Sequence, residues 1–315
     1  MRRVLKGKSV VGLEFDTEVI RGVELYKRNK QLSLASFAEV TLPRGGMREG
    51  LITNRDLVVQ GLKALWQKGD FRSRNVVIGI SNQDVLIRFA SFPHVPLNRV
   101  DSLVRFQAQE HLPVPLESVE LDYSIIGSRK DGEKTMLELI LVAGNKEMLL
   151  DFLWVLEKAK LNPLEIEVLN LTLLRLLKKI GEKSAVAILN IGLGFGNMLV
   201  ADNLLPRLAR TMPLYWQDGV KKDFIHSEKI VEELNRNIRS TIGFYQSSRG
   251  VKNVEKILLS GIEPIAKSLS DKFKQEIGLM IDVVRPAEML NYVGDLKAVS
   301  SEYSLASCLA CRGWE

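Results

Sequence analysis

Hydrophobic alternation opens the chain. Val10 to Phe15, Val19 to Tyr26 and Gln31 to Thr41 are three β-prone runs separated by the short polar turns Asp16 to Glu18 and Lys27 to Lys30, which predicts an antiparallel meander. The period then changes. Leu57, Val58, Gly61, Leu62 and Leu65 fall at helical spacing within Asp56 to Lys68, and Asn75 to Ile80 follows as a short apolar strand. A second organisation starts near Asp84. Val85 to Phe89 reads as a strand, and Arg99 to Leu112 sets Val100, Leu103, Val104, Gln107 and His111 on one helical stripe. Pro113 and Pro115 end that helix, because proline has no N–H to continue the ladder. Val119, Leu121, Tyr123 and Ile125 alternate with Glu120, Asp122 and Ser124, the period of a half-buried strand, while Met136 to Ala143 is apolar enough for a central one. The order strand, helix, strand, strand predicts a small unit inserted into a first domain.

Lys146 to Ala159 and Asn170 to Ile180 are helical by pattern, with a short strand, Glu165 to Val168, between them. The opening arrangement then recurs. Ala185 to Ile191 is an apolar strand, Gly192, Gly194 and Gly196 read as a tight turn, and Met198 to Ala201 is the returning strand. Two halves that each begin strand, turn, strand indicate an internal structural duplication. In the second half, His226 to Ser247 carries Ile230, Leu234, Ile238, Ile242 and Tyr245 on one stripe. Lys256 to Ser260 is a strand ending at Gly261, and Ile265 to Ile277 is a further helix.

Composition narrows the class. With 315 residues and 46% hydrophobic content the chain has material for one large or two ordinary folded domains. Lysine and arginine outnumber acids 44 to 38, but they are scattered, which reads as an ordinary solvated surface and not a nucleic-acid face. The N-terminus lacks the apolar core of a signal peptide, and Ala185 to Leu205 is broken by Asn190, Asn197, Asp202 and glycines, so it is no membrane span. A cytoplasmic protein that meets a membrane only through a partner is expected. Cys308 and Cys311 lie in the apolar run YSLASCLACR and read as buried packing; with only His94, His111 and His226 elsewhere, cysteine and histidine cannot assemble a four-ligand zinc site.

The familiar catalytic motifs fail on context. Gly7, Lys8 and Ser9 imitate the end of a phosphate loop, but the glycine needed five residues earlier is Arg2. The glycines at 192, 194 and 196 are followed by a strand, MLVAD, where a dinucleotide fingerprint needs a helix N-terminus. No GxSxG elbow is present. What remains are the turns at Asp16 and Gly194 and the end of the strand at Gly261. Backbone amides in paired turns can clamp phosphates, nearby acids can hold hydrated magnesium, and a glycine lets the chain approach a base.

Read together, the segments VVGLEFDTEVIRGVEL, VLIRFASFPHVPLNRVDSLVRFQAQEHLPVPLESVELDYSII, LVAGNKEMLLDF, AILNIGLGFGNMLV, EELNRNIRSTIGFY, ILLSGIEPIA and ASCLACR resemble the PilM family of type IV pilus assembly proteins across nearly the whole chain. The stretch with Arg88, Phe92, Pro93, Pro113, Pro115 and Leu121 to Tyr123 is the most specific. The resemblance implies an α/β, actin-like (ribonuclease H-like) duplicated fold with an α+β, SHS2-type insert. By this likeness residues 1–84, 145–183 and the C-terminal helix 301–315 form the first actin-like domain, 85–144 the insert and 184–300 the second domain. Between Arg210 and Glu232 the family has a longer stretch with a lid, which here is reduced.

The resemblance further implies a non-catalytic scaffold at the inner membrane, working with other components of the pilus assembly platform. Its insert, together with the first subdomain, grips the N-terminal cytoplasmic peptide of a PilN-like membrane protein, with Arg88, Phe92, Leu121 and Tyr123 lining the groove. An actin-like ATP switch and the related type II secretion platform protein are the alternatives. For a nucleotide the implied residues are Glu14, Asp16, Thr17, Arg21, Asn190, Gly192, Gly194 and Gly261, with magnesium on Glu14 and Asp16 if ATP binds. Several depart from the family pattern. Asp16 stands where the family has glycine and Asn190 where it has aspartate, and Ile262 after Gly261 would crowd an adenine. The expectation is a degenerate cleft.

Overall fold

The computed structural model describes residues 9–28, 31–214, 228–248, 251–276, 279–285 and 299–314. The first half opens with strands β1 (Ser9–Phe15), β2 (Val19–Arg28) and β3 (Gln31–Thr41), paired antiparallel in sequence order. A two-stranded ribbon, β4 (Met47–Arg48) and β5 (Leu51–Ile52), leads into helix α1 (Arg55–Gly69). The Asn54 side chain caps α1 by accepting the Leu57 N–H, and Asp70 in the left-handed region closes it. Strand β6 (Asn75–Ile80) returns parallel beside β1.

Residues Gln83–Phe152 form a compact unit of their own. It holds β7 (Val85–Pro93), α2 (Leu97–His111), β8 (Val119–Asp131) and β9 (Lys134–Asn145), in an antiparallel sheet ordered β7-β9-β8. Ala90, Phe92, Leu137, Leu139, Leu141 and Ala143 of the sheet bury against Val100, Val104 and Ala108 of α2. The unit runs past residue 144 because Asn145 caps the next helix, α3 (Lys146–Lys158), whose first turns belong to it.

After α3 come β10 (Asn162–Val168), parallel to β6, and then α4 (Leu169–Thr172) and α5 (Leu174–Ile180). The single helix expected over 170–180 is divided. Leu173 N–H bonds back only three residues, to Asn170 O at 3.3 Å, a tightened 3-10 step between the two.

The second half repeats the first. Strands β11 (Val186–Ile191), β12 (Phe195–Asp202) and β13 (Leu205–Pro213) form the antiparallel meander. Helix α6 (Glu228–Gln246) precedes β14 (Lys256–Gly261), and α7 (Glu263–Glu276) precedes β15 (Met280–Val283); both strands add parallel on the β11 side. The sheets are ordered β3-β2-β1-β6-β10 and β13-β12-β11-β14-β15. Each is a three-strand meander extended by two parallel strands beside its first strand. That duplicated topology is the actin-like, ribonuclease H-like fold. The turn after β11 contains Gly192 and Gly194, whereas Gly196 pairs with Ile191 inside the ladder, so the glycine run is shorter as a turn than its spacing suggested.

A final helix, α8 (Ser304–Arg312), lies in the core shared by the two halves. Leu305, Ala306, Leu309 and Ala310 cluster there with Val10, Val77, Val186, Ile188 and Leu258. Both cysteines are buried in this core, in line with their reading as packing residues. The shortened lid expected between Arg210 and Glu232 falls mostly on 215–227, outside the described residues, as does His226.

Candidate functional site

The duplication brings two equivalent turns face to face. The β1–β2 turn closes through Asp16 N–H to Val19 O at 2.9 Å, and the β11–β12 turn through Gly192 N–H to Phe195 O at 2.9 Å. Asp16 bridges them. Its Oδ2 accepts the Leu193 N–H at 2.6 Å, and its Oδ1 accepts the N–H groups of Gly194 at 2.7 Å and Thr17 at 2.8 Å. The carboxylate is 5% exposed. Hydrogen bonds of this length to an ionised acceptor are strong ones.

The glycines follow from this approach. A Cβ on Gly192 would press on Asp16 Oδ2, and one on Gly194 would overlap the Thr17 hydroxyl. That hydroxyl oxygen is buried and has no hydrogen-bond partner among the described residues.

Behind Asp16 lies Arg21, 3% exposed on β2. Its guanidinium is 3.6 Å from Asp16 Oδ2, 3.5 Å from Glu14 Oε1, 3.2 Å from Glu39 Oε2 and 3.9 Å from Glu302 Oε2. Burial disfavours its charge, but these carboxylates outweigh burial and hold the guanidinium proton more tightly than usual. Glu14, also 3% exposed, is pushed up to about 8, first by burial and then by the charges of Asp16, Glu302 and Glu39, against the opposing pull of Arg21. Its Oε2 has no hydrogen-bond partner among the described residues. Glu39 and Glu302 escape a reading of the turn alone, because they arrive from β3 and from the segment before α8.

The remaining cleft positions lie at the ends of the central strands of the second half. Asn190 donates through Nδ2 to Ser260 Oγ at 3.0 Å, tying β11 to β14. Gly261 has φ +94, and a side chain there would overlap the Ile191 backbone. The next residue, Ile262, bonds its N–H to Ile191 O at 2.8 Å and is buried in the core of the second half, so its bulk goes to packing. A buried polar row also joins the halves. Ser81 Oγ donates to Asn197 Oδ1 at 2.6 Å, Thr211 Oγ1 to Asn170 Oδ1 at 3.1 Å, and Asn170 Nδ2 to Arg210 O at 2.8 Å.

In the inserted unit, register places the four residues implied by the resemblance on one sheet face. Tyr123 and Arg88 flank Leu141 from opposite sides, Leu121 opposes Ala143, and Phe92 opposes Leu137. Their exposure differs. Phe92 is 1% exposed, its ring tilted at 43° to that of His111 with centres 5.3 Å apart, and is a core residue with no surface to offer. Leu121 and Tyr123 are half-buried at the margin of that core, on β8, whose outer edge is unpaired among the described residues. Arg88 is half-buried and donates to Ile87 O at 2.9 Å.

Comparison with known proteins adds to this geometry. Over the length of the chain, the structure is similar to the PilM–PilN type IV pilus biogenesis complex, at TM-score 0.82 and 22% identity, covering 97% of this chain and 98% of that one. It is less similar to the ethanolamine utilization protein EutJ from Carboxydothermus hydrogenoformans, at TM-score 0.52 and 11% identity over 97% of this chain and 90% of that one. Residues 12–204, from β1 through the insert to the second meander, match the family described as type IV pilus assembly protein PilM. With that match spanning more than half of its length, the chain belongs to the PilM family of type IV pilus assembly proteins.

Proposed function

We propose that this protein is a non-catalytic scaffold of the type IV pilus assembly platform, and that its inserted unit holds the N-terminal cytoplasmic peptide of a PilN-like inner-membrane protein. The observation that carries this reading is the outer edge of β8. Among the described residues its backbone pairs on one side only, and Leu121 and Tyr123 stand half-buried beside it. An extended peptide that adds along such an edge gains main-chain hydrogen bonds, and its alternate side chains bury against the two apolar groups. Arg88 shares that sheet face but lies on β7, across β9 from this edge. Association with the membrane then runs through the partner; among the described residues no helix is long and apolar enough to cross a membrane.

The same reading leaves the cleft without Mg·ATP. The amides of Thr17, Leu193 and Gly194 already have an acceptor in Asp16, and a second anion at that point meets like charge. Both Asp16 oxygens are taken up by N–H donors, and Glu14 at about 8 favours its neutral form at physiological pH. No group of three or more acidic, histidine or cysteine side chains among the described residues is arranged to hold a metal ion. These residues do not fit a magnesium–triphosphate group.

The test is calorimetric titration of the purified chain with the N-terminal peptide of a PilN-like protein from the same organism, and separately with Mg·ATP. Peptide binding that weakens in Tyr123→Ala and Leu121→Asp, with no ATP binding, is the expected result. Unchanged peptide affinity in both folded variants overturns the edge assignment, and tight ATP binding overturns the scaffold reading in favour of a switch.

A further inference from the structure

We propose that the paired turns form an oxyanion-binding nest whose ligand is supplied by the chain itself, the Asp16 carboxylate standing in for a phosphate. This rests on the reading of the cleft as one without nucleotide.

Three backbone N–H groups from two distant segments converge on one carboxylate at 2.6 to 2.8 Å, with a buried guanidinium 3.6 Å from the same group. Convergent amides in a glycine turn with a cation behind them are the recognition chemistry of a tetrahedral oxyanion. Nothing about the amides selects carboxylate over phosphate. The selection comes from tethering, since Asp16 sits on the opposite turn and faces the nest at an effective concentration that free phosphate does not reach.

Two consequences follow. Closure of one half on the other at this point is built into the covalent chain and does not wait for a ligand. The nest is also latent: removing the carboxylate leaves the Leu193 and Gly194 amides and Arg21 facing a space of one anion's size, with Gly192 and Gly194 adding no side chain to fill it.

The experiment uses the full chain as wild type, Asp16→Gly and Asp16→Asn, with inorganic phosphate as the probe and chloride at matched ionic strength as the control. Wild type is expected to show no thermal shift with phosphate. Asp16→Gly is expected to melt lower and to be raised again by phosphate but not by chloride, because a ligand held only by the folded state stabilises it. In Asp16→Asn, where shape is kept and charge lost, the Leu193 and Gly194 amide protons are expected to move upfield and to exchange about tenfold faster. Phosphate stabilising wild type as much as the variant overturns the proposal, as does a folded Asp16→Gly that phosphate leaves unmoved. If Asp16→Gly does not fold, the amide signals of Asp16→Asn decide, and unchanged signals overturn it. Peptide titration of wild type is scored separately: its failure removes the scaffold reading and leaves the nest standing, whereas phosphate binding by wild type removes the nest and leaves the peptide site standing.

Discussion

Asp16 Oδ1 accepts the amide of Gly194 at 2.7 Å across 178 positions of sequence. Two turns, each built from local hydrogen bonds, are joined by this carboxylate into one structural element. The energetics of the cleft therefore centre on a side chain of the first turn and a backbone of the second.

Asp16→Ala should destabilise the protein by about 3 kcal/mol, since it orphans buried amides and deprives Arg21 of a partner. Urea unfolding should register this as a lower midpoint with an unchanged slope. A loss below about 0.5 kcal/mol, the scatter of surface substitutions, would show that the bridge contributes little.

Glu14 sets a pH dependence. Its ordinary value is 4.5 and its folded value is about 8, so between these the folded state holds a proton that the unfolded state has released. The stabilising contribution is complete below about pH 4.5, declines through the interval and is lost above about pH 8, with a slope of at most about 1.4 kcal/mol per pH unit. Denaturation of wild type and Glu14→Gln across pH 5 to 9 should give curves whose difference carries this decline. Parallel curves would remove Glu14 as its source.

Phe92→Ala should cost about 3 to 5 kcal/mol, the cavity cost of a buried aromatic. The loss should register as faster amide exchange across β7, β9 and α2. Leu121→Ala, at the margin of the same core, should cost under about 2 kcal/mol. Equal protection in the two variants would contradict the difference in burial.

Gly261→Ala should be more harmful than its size suggests. The residue has φ +94 and its missing Cβ faces the Ile191 backbone, so both strain and overlap arise. A loss of about 2 kcal/mol or more in thermal unfolding is expected.

The first meander and the first hairpin of the second were legible because their signals are local. Val10 to Phe15 and Gln31 to Thr41 read as β-prone runs in their own residues, and the start of the second half reads as a strand from its continuous apolar run. Strand β13 was not foreseen; LPRLARTMP has a proline near each end, and its register shifts opposite Val200 and Ala201, which blurs the period. The position of Asp16 in the first turn could be read. Its seat on Leu193 and Gly194 could not, because a turn carboxylate has no periodicity and its donors are backbone amides, which every residue but proline has. Glu39 and Glu302 were invisible for a different reason, being brought to Arg21 only by sheet pairing and by the segment before α8. Phe92 shows the converse: a conspicuous aromatic in a distinctive motif proved to be interior packing.

The burial of α8 has a bearing on biosynthesis. Ser304 to Cys311 are all enclosed, and they complete a core to which Val10, Val23, Leu25 and Val77 contribute from the first strands. A ribosome makes those strands long before it makes the helix that covers them. The nascent first half must therefore keep an apolar face uncovered until Arg312 has emerged, a window in which chaperone protection matters most and a premature stop is most damaging.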